Sequence, residues 1–159
     1  MVDTNESTPE KELLALIQSG NPVKEIEIAA LFEKLKPLDA ESLTGSWRPG
    51  PYVETGHPGV QQLKEAKFDG KDFYSEDNVQ PVMCLNDKGE RVFNEQYGYA
   101  SLRKVEYRGV LSTAMIYDTH PIIDHFRYLT DDYVFGAMDT KMFPKEAGML
   151  YFCLKKAKL

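Results

Sequence analysis

Hydrophobic residues recur at helical spacing in two segments at the start of the chain. The first segment follows the capping sequence Ser7-Thr8-Pro9-Glu10 and is predicted to end near Ser19-Gly20. The second starts at Asn21-Pro22 and stops at Pro37, with apolar residues at i, i+3, i+4 and i+7, namely Ile28, Leu31, Phe32 and Leu35. Their opposite faces are rich in Lys and Glu, so the pattern predicts two amphipathic helices that pack as a cover on the remainder of the protein.

After Leu43 the pattern changes to short β-like runs separated by turn residues. This arrangement is typical of an antiparallel barrel or sandwich and not of alternating βαβ units. Turn signals at residues 86–89 and 130–132 predict antiparallel neighbours, and residues 60–65 predict a short helix. The predicted strands are residues 46–48, 80–85, 90–94, 103–107 continuing through 115–117, 122–129, 133–138 and 149–155.

Composition narrows the class of protein. The length of 159 residues predicts a single domain, with a helical extension at residues 1–38 and a barrel at residues 43–156. The net charge of −6 and the scattered basic residues disfavour nucleic acid as a partner. No apolar run approaches the roughly 20 residues of a membrane span, and residues 1–9 lack the pattern of a secretory signal. We therefore expect a cytoplasmic protein in which Cys84 and Cys153 are unpaired and buried.

Several short motifs resemble a bacterial and fungal family named for its GXWXG segment. The motifs are Gly45-Ser46-Trp47-Arg48, Thr55-Gly56-His57-Pro58 and Gly70-Lys71-Asp72-Phe73. Residues 105–110, 115–118, 121–127 and 136–139 resemble the uncharacterised C-terminal domain that accompanies it, most specifically in the PIIDHF run. The resemblance covers roughly residues 43–154. One position departs from the family pattern, because Pro49 stands where the closing glycine is expected and Gly50 follows it.

The Gly-x-Trp sequence at the first strand is also similar to that of lipocalins, which are closed barrels around an apolar cavity. The resemblances together imply a mainly β (α+β) fold, an antiparallel lipocalin-like β-barrel with the N-terminal helices as a cover. They imply a fold more firmly than a function.

The strongest candidates for chemistry lie in the predicted strand at residues 122–129. Alternation puts Ile122, Asp124 and Phe126 on one face, and His125 with Arg127 on the other. If Asp124 faces the barrel interior, burial raises its pKa and makes it a general acid or base. If the register is reversed, His125 is the interior group and is suited to proton transfer. In either case the group could simply tie a neighbouring strand in place.

Other candidates are assigned to binding or to charge stabilisation. Glu106 and Arg108 share a strand face, and Arg108 suits an anionic substrate group if that face is interior. Tyr117 is a candidate proton donor, and His57 is either a pocket residue or the cap of the following helix. Lys71 lies among aromatic residues. Its stem either covers apolar surface, or its amine acts as a polarising cation. Trp47 and Phe126 are expected inside the barrel.

These residues favour a small hydrophobic molecule as the partner, with no cofactor and no metal. The histidines at 57, 120 and 125 show no metal-ligand spacing, and no phosphate loop or dinucleotide fingerprint is present. The first hypothesis is a cofactor-independent isomerase, cyclase or lyase, with Asp124 or His125 as base, Arg108 or Lys71 stabilising negative charge and Tyr117 donating. The alternative is a non-catalytic lipocalin-like carrier of a lipid or pigment. The oligomeric state, including a homodimer, is left open.

Overall fold

A computed structural model describes residues 6–158 of the chain. Its α-helices are α1 (Pro9–Gln18), α2 (Glu25–Glu33) and α3 (Pro58–Glu65). Its strands are β1 (Gly45–Pro49), β2 (Phe68–Ser75), β3 (Asn78–Leu85), β4 (Arg91–Phe93), β5 (Ala100–Tyr107), β6 (Val110–Tyr117), β7 (Ile122–Tyr128), β8 (Tyr133–Thr140) and β9 (Leu150–Lys156). Within this part of the chain, no helix is long and apolar enough to cross a membrane.

The strands form one antiparallel sheet that closes into a barrel. The order is β2-β1-β9-β8-β7-β6-β5-β3-β4, and a further pairing of β2 with β3 closes the ring. The short strand β4 continues along the edge of β3, beyond the single pair that β3 makes with β5. The expectation of a mainly β barrel with helices is therefore confirmed.

Two apolar clusters lie on opposite sides of the barrel wall. The inner cluster fills much of the barrel and includes Trp47, Phe73, Met115 and Phe126. The outer cluster joins the apolar stripes of α1 and α2 to the outward side chains of β8 and β9, among them Phe135, Ala137, Tyr151 and Cys153. The N-terminal helices thus cover the outer wall, because an amphipathic helix must bury its stripe against another apolar surface.

A buried arginine fixes α2 to the barrel. The Arg127 guanidinium, 1% exposed, donates to the carbonyl oxygens of Phe32 and Leu35 at 3.2 Å and to that of Tyr107 at 2.9 Å. The Phe32 carbonyl lies in the last turn of α2 and the Leu35 carbonyl lies two residues beyond the end of the helix, where carbonyl groups point away from the helix and have few intrahelical partners. The positive charge is therefore placed at the negative end of the helix dipole.

The Gly45-Ser46-Trp47-Arg48 motif has a packing role at β1. Trp47 is buried in the inner cluster, and its Nε1 donates to Leu43 O at 2.8 Å. Gly70 on the neighbouring strand has φ of +100°, and a Cβ there would overlap the Trp47 carbonyl. Gly50 donates its N–H to Cys153 O at 2.8 Å, and a Cβ at Gly50 would lie 2.8 Å from Cys153 Sγ. The glycine that follows Pro49 therefore permits this close approach.

Two details of the predicted strands are wrong. Residues 103–117 form two strands, β5 and β6, since Arg108 and Gly109 make a tight turn with φ of 49° and 80°. Strand β2 was not predicted, because its sequence FDGKDFYS is largely polar. The structure accounts for this polarity: Asp72 accepts two hydrogen bonds of 2.7 Å from Arg91, and Asp69 binds Arg91 and Arg48. The predicted short helix at residues 60–65 is present as α3.

Candidate functional site

Strand β7 settles which of two adjacent ionisable residues faces the barrel interior. Ile122 and Phe126 belong to the inner cluster, so Asp124 between them points into the barrel. His125 points outward. It is nevertheless buried, with only 4% of its surface exposed, because other side chains on the outer wall, Tyr107 among them, cover it. Its ring stacks on Tyr107 at 3.7 Å between centroids, and its Nε2 lies 3.2 Å from Asp139 Oδ2.

The Asp124 carboxylate meets a lysine that reaches it across the barrel. Lys71 lies on β2, which is opposite β7 in the ring of strands. Its Nζ is 3.3 Å from Asp124 Oδ2, and the two residues are 4% and 1% exposed. Nζ also donates to Pro81 O at 2.9 Å and to the Tyr117 hydroxyl at 3.5 Å. Three strands therefore bring three ionisable groups to one point.

Burial controls the protonation of this group. It raises the pKa of Asp124, and the nearby Lys71 ammonium only partly opposes that rise. It also lowers the pKa of Lys71, against the attraction of the Asp124 carboxylate. The pKa of Tyr117 is raised well above its ordinary value, first by burial and then by the charge of Asp124. All three shifts favour the neutral forms, so the transfer of a proton from Lys71 to Asp124 would cost less free energy than it would in water.

A cavity of about 130 Å³ adjoins the pair. Its walls are mainly apolar side chains, and α3 with residues 142–143 borders one end. Gln62 and Met142 are exposed members of the lining, so the cavity reaches the surface at that end. Its lining includes Phe68, Lys71, Tyr117, Ile122, Asp124 and Phe152.

One carboxyl oxygen of this site takes part in no hydrogen bond with the described residues. Within residues 6–158, Asp124 Oδ1 has no hydrogen-bond partner, although it is buried. A buried polar atom without a partner costs about 1–3 kcal/mol, so such atoms are rare in folded proteins and call for an explanation. Since Asp124 lines the cavity, a molecule bound there would lie beside this carboxyl group.

A larger cleft, about 280 Å³, lies outside the barrel. Four of its polar side chains already serve the fold. His57 caps α3, where its Nδ1 accepts from Gly59 N at 2.9 Å, and burial lowers its pKa. Arg108 donates to the Tyr151 hydroxyl at 2.7 Å, Glu25 accepts from Met149 N, and Asp139 binds His125. We therefore place the candidate site in the barrel cavity.

The structure brings together only part of the set chosen from sequence. Asp124, Tyr117 and Lys71 meet at the cavity, whereas Trp47 and Phe126 lie in the inner apolar cluster. Four lie elsewhere. His125 is on the outer wall and His57 is at the start of α3, whereas Arg108 lies in the turn after β5 and Glu106 is exposed near the end of that strand. Four residues at the site were not predicted from the sequence, namely Phe68, Ile122, Phe152 and Pro81.

The sequence did contain a signal for one of these four residues, Phe152. Phe152 pairs with Gly136 across β8 and β9, and a Cβ at Gly136 would overlap the Phe152 ring. A glycine inside a strand pattern indicates such a close approach.

Within the described residues, His, Cys, Asp and Glu form no group of three that could hold a metal ion.

Comparisons with known proteins agree with this architecture. A model described as GXWXG protein matches residues 30–89, and a model described as a domain of unknown function, DUF4334, matches residues 98–156. The crystal structure of a protein from Thermomonospora curvata is similar, with a TM-score of 0.86 and 37% sequence identity, over 94% of this chain and 99% of that one. Among curated proteins, none matches the chain. The chain belongs to the family in which a GXWXG segment is followed by a DUF4334 domain.

Proposed function

We propose that this barrel binds a small, largely apolar molecule and transfers a proton on it without a cofactor, as an isomerase, cyclase or lyase. The observation that supports the proposal is the Asp124 carboxyl. It is 1% exposed, it lines the cavity, and its Oδ1 has no partner in the described part of the chain. A carboxyl whose pKa burial raises is suited to general acid–base catalysis near neutral pH.

The neighbours of Asp124 suit complementary roles. Lys71, 3.3 Å from the carboxylate, would stabilise negative charge that develops on a ligand oxygen. The Tyr117 hydroxyl would donate a hydrogen bond to the same oxygen. Because the walls are apolar, these interactions act in a medium of low dielectric constant, where they are stronger than in water.

A non-catalytic carrier is the second candidate, and one observation favours it. Lys71 Nζ already has three acceptors within the protein, Pro81 O, Asp124 Oδ2 and the Tyr117 hydroxyl. Because the hydrogen atoms of Nζ already have acceptors, the ion pair needs no catalytic role. Joining opposite strands and orienting an apolar ligand is sufficient to explain it. The two candidates differ in whether the bound molecule is chemically changed.

Deuterium uptake distinguishes them. The protein is incubated in D₂O with a small-molecule extract of its source organism, and bound and free compounds are followed by mass spectrometry. A proton-transfer enzyme introduces solvent deuterium into at least one compound, either as an exchange or in a product. A carrier retains a compound whose mass does not change.

Two variants of adjacent residues provide the control. Asp124→Asn keeps the shape of the side chain and removes the base, so we expect uptake to fall at least a hundredfold. His125→Phe changes a residue that is equally buried but lies on the other side of the barrel wall, and uptake should continue. If Asp124→Asn exchanges as fast as the parent, the proton-transfer proposal is wrong.

A further inference from the structure

The amine of Lys71 is placed where a ligand in the cavity would meet it. Lys71 is 4% exposed, and it is part of the cavity lining. Its Nζ lies 5.3–5.8 Å from the centroids of three aromatic rings, those of Phe68, Tyr117 and Phe152. Aromatic faces attract cations, so this position stabilises a positive charge that stays on the nitrogen.

A buried lysine amine is also a nucleophile. Only the unprotonated amine attacks a carbonyl carbon, and enzymes prepare it by removing water from around the side chain. Burial lowers the pKa of Lys71 in this way, and Asp124 is close enough to take the proton. Exposed lysines keep their proton at neutral pH.

We propose that the cavity takes a small aldehyde or ketone and that Lys71 Nζ binds it covalently as an imine, with Asp124 as the counterion. The inference rests on the function proposed above and narrows its substrate class to carbonyl compounds. The geometry that supports it is the combination of an amine, a carboxyl with one unpartnered oxygen and three aromatic rings around one apolar cavity.

The reaction needs no group beyond these. The Nζ lone pair attacks the carbonyl carbon, and the Asp124 carboxyl gives its proton to the carbonyl oxygen. The nitrogen then returns a proton to Asp124, which passes it to the new hydroxyl. The hydroxyl leaves as water while the nitrogen lone pair forms the C=N bond. The products are water and an iminium whose single N–H faces the Asp124 carboxylate, and nothing is oxidised or reduced.

The iminium gives the proposed proton transfer a chemical reason. Its positive nitrogen accepts the electron pair left when a hydrogen is removed from the adjacent carbon, so that hydrogen becomes acidic. Asp124 Oδ1 has no other partner among the described residues and is the base for this step. The ion pair of Lys71 and Asp124 in the free protein is thus replaced by an iminium and the same carboxylate.

The cavity limits the size of the ligand. An apolar cavity of roughly 150 Å³ accommodates benzene. The present cavity is about 130 Å³, so it suits a ring or chain of about six carbons. Hexanal, cyclohexanone and benzaldehyde are therefore the probes for the test.

The test is reductive trapping. The full-length protein is incubated with each probe and sodium cyanoborohydride at neutral pH, and the adduct is located by peptide mass mapping. We expect one probe to add a single alkyl group at Lys71, in at least tenfold excess over any other lysine. Lys88→Arg removes an exposed lysine in a turn and should leave this result unchanged.

Three variants define the requirement for the pair. Lys71→Arg keeps a cation but forms no imine, so the adduct should be lost. Lys71→Met/Asp124→Leu replaces both charges by apolar groups, which commonly preserves folding where a single replacement fails, and it should also give no adduct. In Asp124→Asn, where the counterion is absent, trapping at Lys71 should fall at least tenfold. Thermal unfolding of each variant confirms that it is folded.

The two proposals can fail separately. If adducts are spread over the exposed lysines with no excess at Lys71, the imine is excluded, whatever the deuterium experiment gives. If Lys71 is trapped but no compound takes up deuterium in a manner that depends on Asp124, the imine stands and the proton-transfer function is wrong. If Asp124-dependent uptake occurs without an adduct at Lys71, the proton transfer stands alone.

Discussion

Replacing Lys71 by methionine should destabilise the protein, although methionine fits the same space. Both Lys71 and Asp124 are nearly fully buried, and their charged atoms are 3.3 Å apart. Removal of the lysine leaves a buried carboxyl without a cationic partner, which typically costs about 3–5 kcal/mol. Asp124 can escape part of this cost by binding a proton, so we expect a loss of about 3 kcal/mol at neutral pH.

The double replacement should recover most of this loss. In Lys71→Met/Asp124→Leu neither charge is buried, and two apolar side chains pack against the inner cluster. Replacement of a buried ion pair by apolar residues of similar volume is often neutral or stabilising. We expect the double variant to lie within about 1 kcal/mol of the parent, with a coupling energy of about 3 kcal/mol or more between the two positions.

The two single variants should respond to pH with opposite sign. In Lys71→Met the folded-state pKa of Asp124 is raised above its unfolded value, so stability is greatest in acid and is lost as pH rises through the folded pKa. In Asp124→Leu the pKa of Lys71 is lowered below its unfolded value, so stability is lost as pH falls below the ordinary lysine range.

The assay is urea unfolding of the parent and the three variants, repeated from about pH 5 to about pH 9, with the free energy of unfolding compared at equal m-value. Either of two results would refute the expected coupling between Lys71 and Asp124. One is that each single variant is as stable as the parent. The other is that the double variant loses the sum of the single losses, since the pair would then have no coupling.

Three further predictions concern residues outside the site. His125→Phe should lower the free energy of unfolding by about 1–2 kcal/mol through its lost hydrogen bond, measured by urea unfolding. Arg127→Met should cost about 3 kcal/mol and speed amide exchange in α2, because three carbonyl oxygens each lose one hydrogen-bond donor; unchanged α2 protection would contradict this. Gly136→Ala should cost about 1–3 kcal/mol by overlap with Phe152, against about 1 kcal/mol for the control Gly89→Ala, which has open space at φ of +75°.

The helices could be predicted because their signals are local. Thr8 caps α1 by accepting from Lys11 N, and Pro9 occupies its first turn, as the sequence predicts. The second helix is shorter than predicted and runs from Glu25 to Glu33. Its C-terminal end is held by Arg127, which lies far away in the chain.

Strand β2 shows why other elements could not be predicted. Its acidic residues suggest a loop when they are considered alone. They become compatible with a strand only when Arg91 and Arg48 neutralise them from β4 and β1. Such pairing depends on the closure of the barrel and leaves no periodic pattern in the sequence. Lys71 lies on this strand. Its contact with Asp124 joins opposite sides of the barrel, so the alternation of residues along a strand could not predict it.

The sequence by itself determined which residues share a strand face, since alternation is a property of the extended backbone. It therefore placed Asp124 with Ile122 and Phe126, and His125 with Arg127. The tertiary structure decided which face lines the cavity, because the outward face of β7 is buried as well, as His125 and Arg127 show. Because both faces of β7 are buried, hydrophobicity does not show which face points into the barrel. Only the closure of the barrel brings Lys71 to Asp124.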